Sequence, residues 1–424
     1  MNRSRSLFVF AFPLAAFASA QQVHVVAPSA GPGVDFTSIS AAVAAAQDGD
    51  LVLVKSGTYA PFQIQSKGVH VVEDAGADAR IGIGGAGICS VSNTLADQTA
   101  WLHGFASASP LDFAIDACTG PVLLTGLTWT SGTAGSRMTA SDAVMLRSCS
   151  FTGAAGHSDC TWVGSACACS QLHAGAPGLF ATDSRISVHS SVLNGGYGLS
   201  ASGLWPCFYS ATPGGPGLLL ANSRALMQSI CHGGPGGAGI KLLDGTCAEL
   251  GAPGAAGVLA TDAASHIDFT GPFVSAADGA GGLPPCGSVA PSAPDYDGPQ
   301  SGIGVIGYLP TLLAPAVVRE GQSATLSGRA LPGFTLLAVS GQADLLEIPG
   351  LLGWAVPTAP ALFALPTTPP GGLGLVDYSL TLPITELGAG VDFVIVHAQV
   401  IQLDTSGTGR VGESRPIALL DAQF

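Results

Sequence analysis

The chain has 424 residues, 47% hydrophobic and only 10% charged, with 59 glycines, 29 prolines and a formal net charge of −14. So much apolar, turn-forming material and so little charge argues against a charged helical protein and favours an all-β chain of about two domains. The acid excess disfavours nucleic acid and anionic membranes as partners, because phosphate binding needs Lys and Arg.

Arg3 and Arg5 precede an apolar run from Leu7 to Phe17 and the small-residue site Ala18-Ser19-Ala20. That is the layout of a secretory signal peptide over residues 1–20, cleaved near Ala20. The expectation is a secreted or cell-surface protein beginning near Gln21. Loss of two arginines and no acid takes its formal charge from −14 to −16. The apolar run is too short to span a bilayer and no later Pro-free run is long enough, so no membrane span is expected in the mature chain.

The stretch GVDFTSISAAVAAAQDGDLVLVKSGTYA at 33–60 sets the next elements. Ile39, Val43 and Ala46 share one face at helical spacing, and Thr37 or Ser38 can cap the start. Asp48-Gly49-Asp50 stops the helix. Leu51 to Val54 is then a continuous apolar run, which suits a strand covered on both faces. Further strands are expected at 68–72, 81–83, 100–105, 122–130 and 143–151.

A repeat follows. GLFATDS at 178, GLLLANS at 217 and GVLATDA at 257 align, with leading glycines 39 and 40 residues apart. Cys169, Cys207, Cys247 and Cys286 keep the same beat, and Gly-rich runs lie between. A period near 39 reads as one turn of a solenoid carrying a long Gly-rich loop, stabilised by its neighbours. Residues 284–300 are Pro-rich and read as a linker or exit loop. After 308 there is no cysteine and no beat, only alternating strands such as Asp392 to Leu403, as in a β-sandwich of about 115 residues.

The order helix, Gly-Asp turn, Val-Leu-Val strand, Gly-Thr-Tyr resembles the N-terminal cap of right-handed parallel β-helix proteins of the pectin-lyase-like superfamily. The resemblance implies a right-handed parallel β-helix over 21–300 plugged by an N-terminal helix, and with the β-sandwich read from the strands over 308–424 the expectation is an all-β protein. The ending HAQVIQLDTSGTGRVGESRPIAL resembles the last hairpin of C-terminal modules of exported bacterial proteins.

Three groups of residues are candidates for chemistry. Asp183, Asn222 and Asp262 hold one place in three repeats and should stack. The resemblance implies Ca²⁺ binding or acid–base work for such a ladder in a polysaccharide lyase or glycoside hydrolase, with Arg185 and Arg224 as basic partners. The alternative is an Asx turn at each coil corner, and the third repeat has Ala264 where an arginine would stand. The second group, His157, Asp159, Cys160, Cys167, Cys169 and His173, has zinc-like density but no established zinc spacing. In an exported chain a disulfide from Cys160 to Cys167 or Cys169 is favoured, and no metal set is assigned. Cys149, Cys207, Cys231, Cys247 and Cys286 are further disulfide candidates, since stacked turns bring equivalent positions within bonding range.

The third group is aromatic: Trp162, Tyr197, Trp205 and Tyr209, with Phe208, beside the Gly-rich loops, where sugar rings could stack or where the side chains fold back to seal the loops. The expected function is a module engaging extracellular polysaccharide or another cell-surface polymer. The alternatives are a polysaccharide lyase or glycoside hydrolase, for which Ca²⁺ is a possible cofactor, and a structural or adhesion stalk.

Overall fold

The computed structural model describes residues 21–82, 87–133, 135–163, 166–201, 210–238, 240–241, 247–249, 251–270, 276–277, 294–367 and 374–424. Its architecture follows from apolar runs that do not alternate. Leu51–Val54, Val122–Thr125 and Val144–Arg147 are buried at all four positions. A strand points successive side chains to opposite faces, so such burial requires cover on both.

These strands stack in parallel as a first ladder. It runs from Val23–Val26 through Leu51–Val54, His70–Glu73, Ala100–His103, Val122–Thr125 and Val144–Arg147. It continues through the first parts of Arg185–Asn194 and Arg224–His232 to His266–Phe269 and Ile303–Val305. A second ladder starts at Gly57–Tyr59, passes through the last parts of the same two long strands and reaches Ala276–Ala277. A third runs from Gln63–Gln65 to Tyr296–Asp297. The chain visits the three ladders in order and returns, one circuit per turn of a parallel coil. Val52, Val71, Leu102, Leu124, Leu146 and Val188 point inward and fill its core. The last turn uses Tyr296–Asp297 and Ile303–Val305, so the coil takes up part of the stretch that reads as linker in the sequence.

The corners repeat from turn to turn. Between the third ladder and the first, Ser66, Asn93, Ala117, Ala140, Asp183 and Asn222 all adopt φ between 47° and 56°. The following residues form a hydroxyl stack. The backbone N–H of Cys118 donates to Ser141 Oγ (3.3 Å), Ser141 to Ser184 (3.2 Å), Ser184 to Ser223 (3.0 Å) and Ser223 to Ser265 (3.4 Å). Buried corner N–H groups are satisfied in this way without a strand. From Ala117 to Ala140 a turn takes 23 residues, whereas Ala140 to Asp183 takes 43 and Asp183 to Asn222 takes 39. The 39-residue beat is therefore a short turn plus a long excursion.

The helix spans Ile39–Ala45 and buries Ile39, Ala42 and Val43 against Val23–Val26, Leu51–Val54 and Gln63–Gln65. Ser38 caps its start. Lys67 Nζ donates to the carbonyls of Val43, Ala44 and Ala46 at 3.1, 3.0 and 2.8 Å, which satisfies its last turn.

Beyond Leu309 two largely antiparallel sheets pack face to face. The larger contains Val317–Arg319, Gly409–Leu420, Phe393–Asp404, Gly333–Ser340 and Ala361–Ala364, and the smaller Thr311–Leu313, Ser323–Ala330 and Val376–Pro383. Leu326, Tyr378, Ala398, Val400 and Ile417 lie between them. The larger sheet's other face covers the outside of the first ladder. There Val25, Leu53, Val72, Trp101, Leu123 and Met145 meet Phe393, Ile395, Ala418 and Leu420 of that sheet and Trp354 of the separate hairpin Ala343–Glu347/Trp354–Pro357. This contact covers the second face of the LVLV-type strands.

Candidate functional site

The repeat acids do stack, but as corner residues. Asp183 and Asn222 sit at the left-handed corner position, with φ of 50° and 47°, a conformation Asn and Asp tolerate better than other side chains that carry a Cβ. Asn222 Nδ2 donates to Asp183 Oδ1, and Asn222 N–H donates to Asp262 Oδ2 at 2.7 Å. Asp262 Oδ1 accepts from the backbone of Ala264 and Ser265 at 2.9 and 2.8 Å. These bonds, that from Asn222 foremost, hold the Asp262 carboxyl below the usual carboxylate range. The Asp262 carboxylate is committed to backbone donors, as in an Asx turn, and that of Asp183 accepts from the Asn222 side-chain amide. Ala117 and Ala140 hold the same conformation in earlier turns with no carboxylate at all.

The arginines turn away from this ladder to the C-terminal sheets. Arg185 donates to Leu345 O at 2.6 Å, and Arg224 pairs with Asp268 at 3.1 Å and with Glu347. Both guanidinium groups lie over the Trp354 ring, 5.7 and 5.8 Å from its centroid, in cation–π range. Arg147, one unit earlier, is wholly buried against Glu413. The basic candidates tie the coil to the C-terminal sheets.

Two disulfide candidates lie in the described core. Cys149 and Cys231 are buried free thiols, as are Cys89 and Cys118. Cys149 stands at a corner where the next turn carries Ser191, whose Oγ accepts the Cys149 N–H at 3.0 Å. Cys231 is in register with Leu193 on one side and Ala276 on the other. Neither has a cysteine neighbour in the stack. Burial pushes the Cys149 thiol up to about 11 and Cys231 higher still. Cys207 and Cys286 lie outside the described residues, as do the side chains of Cys160, Cys167, Cys169 and Cys247. The backbone register of Ser158–Val163 with Ala166–Leu172 places Cys160 opposite Cys169, and Trp162 opposite Cys167.

The Gly-rich excursions, expected as loops, contain regular structure. Segments 153–157, 195–201 and 233–238 run side by side, and 173–178, 212–217 and 251–257 form a second layer. Within a layer the bonds repeat every third residue: Gly153 to Asn194 O and Gly156 to Tyr197 O; Gly195 to His232 O and Gly198 to Pro235 O; Gly175 to Pro213 O and Gly178 to Pro216 O. Between layers the direction reverses at the same step, with Gly215 to Gly196 O and Thr212 to Leu199 O, then Gly234 to Gly215 O and Gly237 to Thr212 O. Three residues per turn is the period of a polyproline II helix, against two for a strand. The sequence signal is Gly at i and i+3: Gly153/Gly156, Gly175/Gly178, Gly195/Gly198, Gly214/Gly217, Gly233/Gly236, Gly254/Gly257. A Cβ on Gly195 would stand 1.7 Å from Gly215 O, and one on Gly196 1.8 Å from Ala154 O. Only glycine permits this approach.

The described segments of the glycine bundle lie side by side at one edge of the coil. At that edge Tyr197 is 63% and Leu172 37% exposed. His157 and His173, at the foot of the 158–172 hairpin, stack with ring centroids 4.2 Å apart and 10° between planes. His173 Nε2 lies 3.0 Å from Asp159 Oδ2. Trp205, Phe208 and Tyr209 lie outside the described residues, as does the side chain of Trp162. Of the aromatic candidates, Tyr197 is thus placed at the surface. No family model matches the chain, and no curated protein or solved structure matches it either. Among the described residues no helix is long and apolar enough to cross a membrane.

Proposed function

We propose that the chain is an exported right-handed parallel β-helix protein that binds an extracellular polymer, polysaccharide foremost, on the loop edge of its glycine bundle. In this reading the helix 39–45 plugs the first turn, and residues 308–424 are a β-sandwich that braces the coil. The observation that carries it is the bundle itself. A period-three net of backbone bonds holds parallel excursions in fixed register and presents Tyr197 and the stacked His157–His173 pair at one edge. Binding groups on a rigid scaffold lose little entropy on engagement. A formal charge near −16 after export points to a neutral polymer rather than a polyuronate. A lyase or hydrolase centred on Asp183 and Asp262, with Ca²⁺ as its ion, has less support, because Asp262 is committed to corner N–H groups, Asp183 accepts from the Asn222 amide, and Arg185 and Arg224 engage the brace. The test is retention of the full exported chain on immobilised neutral glycans. Binding lost in Tyr197→Ala and Trp205→Ala supports the reading. Failure of the parent to bind any glycan, or binding indifferent to both substitutions, overturns it.

A further inference from the structure

We infer that His157, Asp159 and His173 form a binding site for one late first-row divalent transition metal, of which zinc is the natural probe. His157 and Asp159 are two residues apart at the start of the hairpin, where its register shifts between Ser158 and Cys160. His173 is brought opposite by the antiparallel return of the hairpin: its N–H donates to His157 O at 2.8 Å, and Ser158 pairs with Leu172. One donor atom from each of the three side chains lies within 4.8 Å of the others. Zinc holds imidazole nitrogen and carboxylate oxygen at about 2.0–2.2 Å, so binding would turn the stacked imidazoles and draw the partly exposed side chains together.

The backbone beneath the ligands is already fixed. Gly156 N–H donates to Tyr197 O at 2.6 Å, and Thr212 Oγ1 donates to His173 O at 3.1 Å. The ligands therefore spring from the ends of two bundle segments, not from a free loop. The donor set also chooses the ion. Two imidazoles and one carboxylate suit zinc, copper, nickel or cobalt, whereas Ca²⁺ and Mg²⁺ take oxygen ligands. Three protein ligands leave a coordination position for water or a ligand atom, and the Asp159 and His173 side chains are 52% and 36% exposed. The bound metal would replace the His173–Asp159 hydrogen bond and clamp the foot of the hairpin to the bundle. This inference does not rest on polymer binding.

The experiment is calorimetric titration of the full exported chain, accessible thiols alkylated, with ZnCl₂ and separately with CaCl₂. The expected result is one zinc per chain, no comparable calcium uptake, and affinity reduced about tenfold or more in each of His157→Gln, Asp159→Asn and His173→Gln. Melting temperatures measured in EDTA should match between parent and variants, and added zinc should raise the parent's alone. Absence of zinc uptake by the parent, uptake unchanged in the variants, or calcium bound as tightly as zinc would each overturn the assignment.

Discussion

Arg147 and Glu413 form an ion pair in which the two side chains are 0% and 1% exposed. The pair joins the first ladder of the coil to the last long strand of the chain. Arg147 also donates to the carbonyls of Ser414 and Leu312, and Glu413 accepts from Leu312 N–H at 3.2 Å and from Ser190 Oγ at 3.3 Å. Burial pushes the guanidinium down and Glu413 opposes it. Removing one member of such a pair strands the other charge in a dry junction, which costs about 3–5 kcal/mol. Arg147→Met should lose that much in urea unfolding, and Arg147→Met with Glu413→Leu should recover most of it. If the double variant is as unstable as the single one, the pair is not the unit that matters.

The same junction buries histidines. Burial lowers His70 from its ordinary value of 6.5 to about 4, against the opposing pull of Asp50. Burial lowers His397 to about 3, and His70 adds to the effect. The unfolded chain therefore binds more protons than the folded one below about pH 6.5. Stability is full above that value and falls as the pH drops toward 4. The loss is about 2 kcal/mol per histidine between pH 7 and pH 5. Urea unfolding at both pH values, in the parent and in His70→Leu with His397→Leu, measures it. The variant's decline should be smaller by about 4 kcal/mol, and equal declines would refute the assignment.

Much of this fold was legible. Leu51 to Val54 announced cover on both faces, and the aligned GLFATDS, GLLLANS and GVLATDA segments announced stacked turns. What covers the second face was not legible, because a run of apolar residues does not name its partner. The alternating strands after 308 suggested a β-sandwich but not what it packs on: Phe393 and Ile395 pack on the coil while Ala398 and Val400 pack on the second sheet. In the candidate site, the alignment of Asp183, Asn222 and Asp262 was readable and their left-handed backbone was not. The glycine bundle was hidden because its period of three is neither a helix nor a strand period, and polyproline II segments carry no internal hydrogen bond to give them a signature of their own.

The cysteines should divide into two classes. Cys89, Cys118, Cys149 and Cys231 are buried thiols, and the export proposed above would favour oxidation of accessible ones. Directly opposed positions in an antiparallel pair lie within disulfide range, and Cys160 faces Cys169. Peptide mapping without reduction should find Cys160 linked to Cys169, and thiol titration should find the buried four only after denaturation. A Cys160–Cys167 linkage would show that the hairpin register is different.

The bundle should be intolerant of a single methyl group. Gly196→Ala forces a Cβ to within 1.8 Å of Ala154 O, so segments must separate. Overpacking of this kind costs about 1–3 kcal/mol. A fall in stability should come with faster amide exchange at Ala176, Gly215 and Gly234, while exchange along Leu51–Val54 and Val122–Thr125 stays slow. Uniform loosening of the whole coil would contradict a separately bonded bundle.

The acidic ladder gives the sharpest contrast between structure and catalysis. Asp183 needs a left-handed backbone, which glycine adopts freely and a β-branched residue resists by about 1–2 kcal/mol. Asp183→Gly should therefore preserve stability, and Asp183→Val should lose about that amount. Asp262→Ala removes the acceptor for Asn222, Ala264 and Ser265 N–H groups, and at this exposed corner it should loosen the last repeat without unfolding the earlier ones. The parent should show no cleavage of polygalacturonate with millimolar Ca²⁺, followed as unsaturated product by absorbance and as new reducing ends. Turnover in the parent that Asp183→Gly abolishes, with its melting temperature unchanged, would move these residues from corner-makers to catalysts.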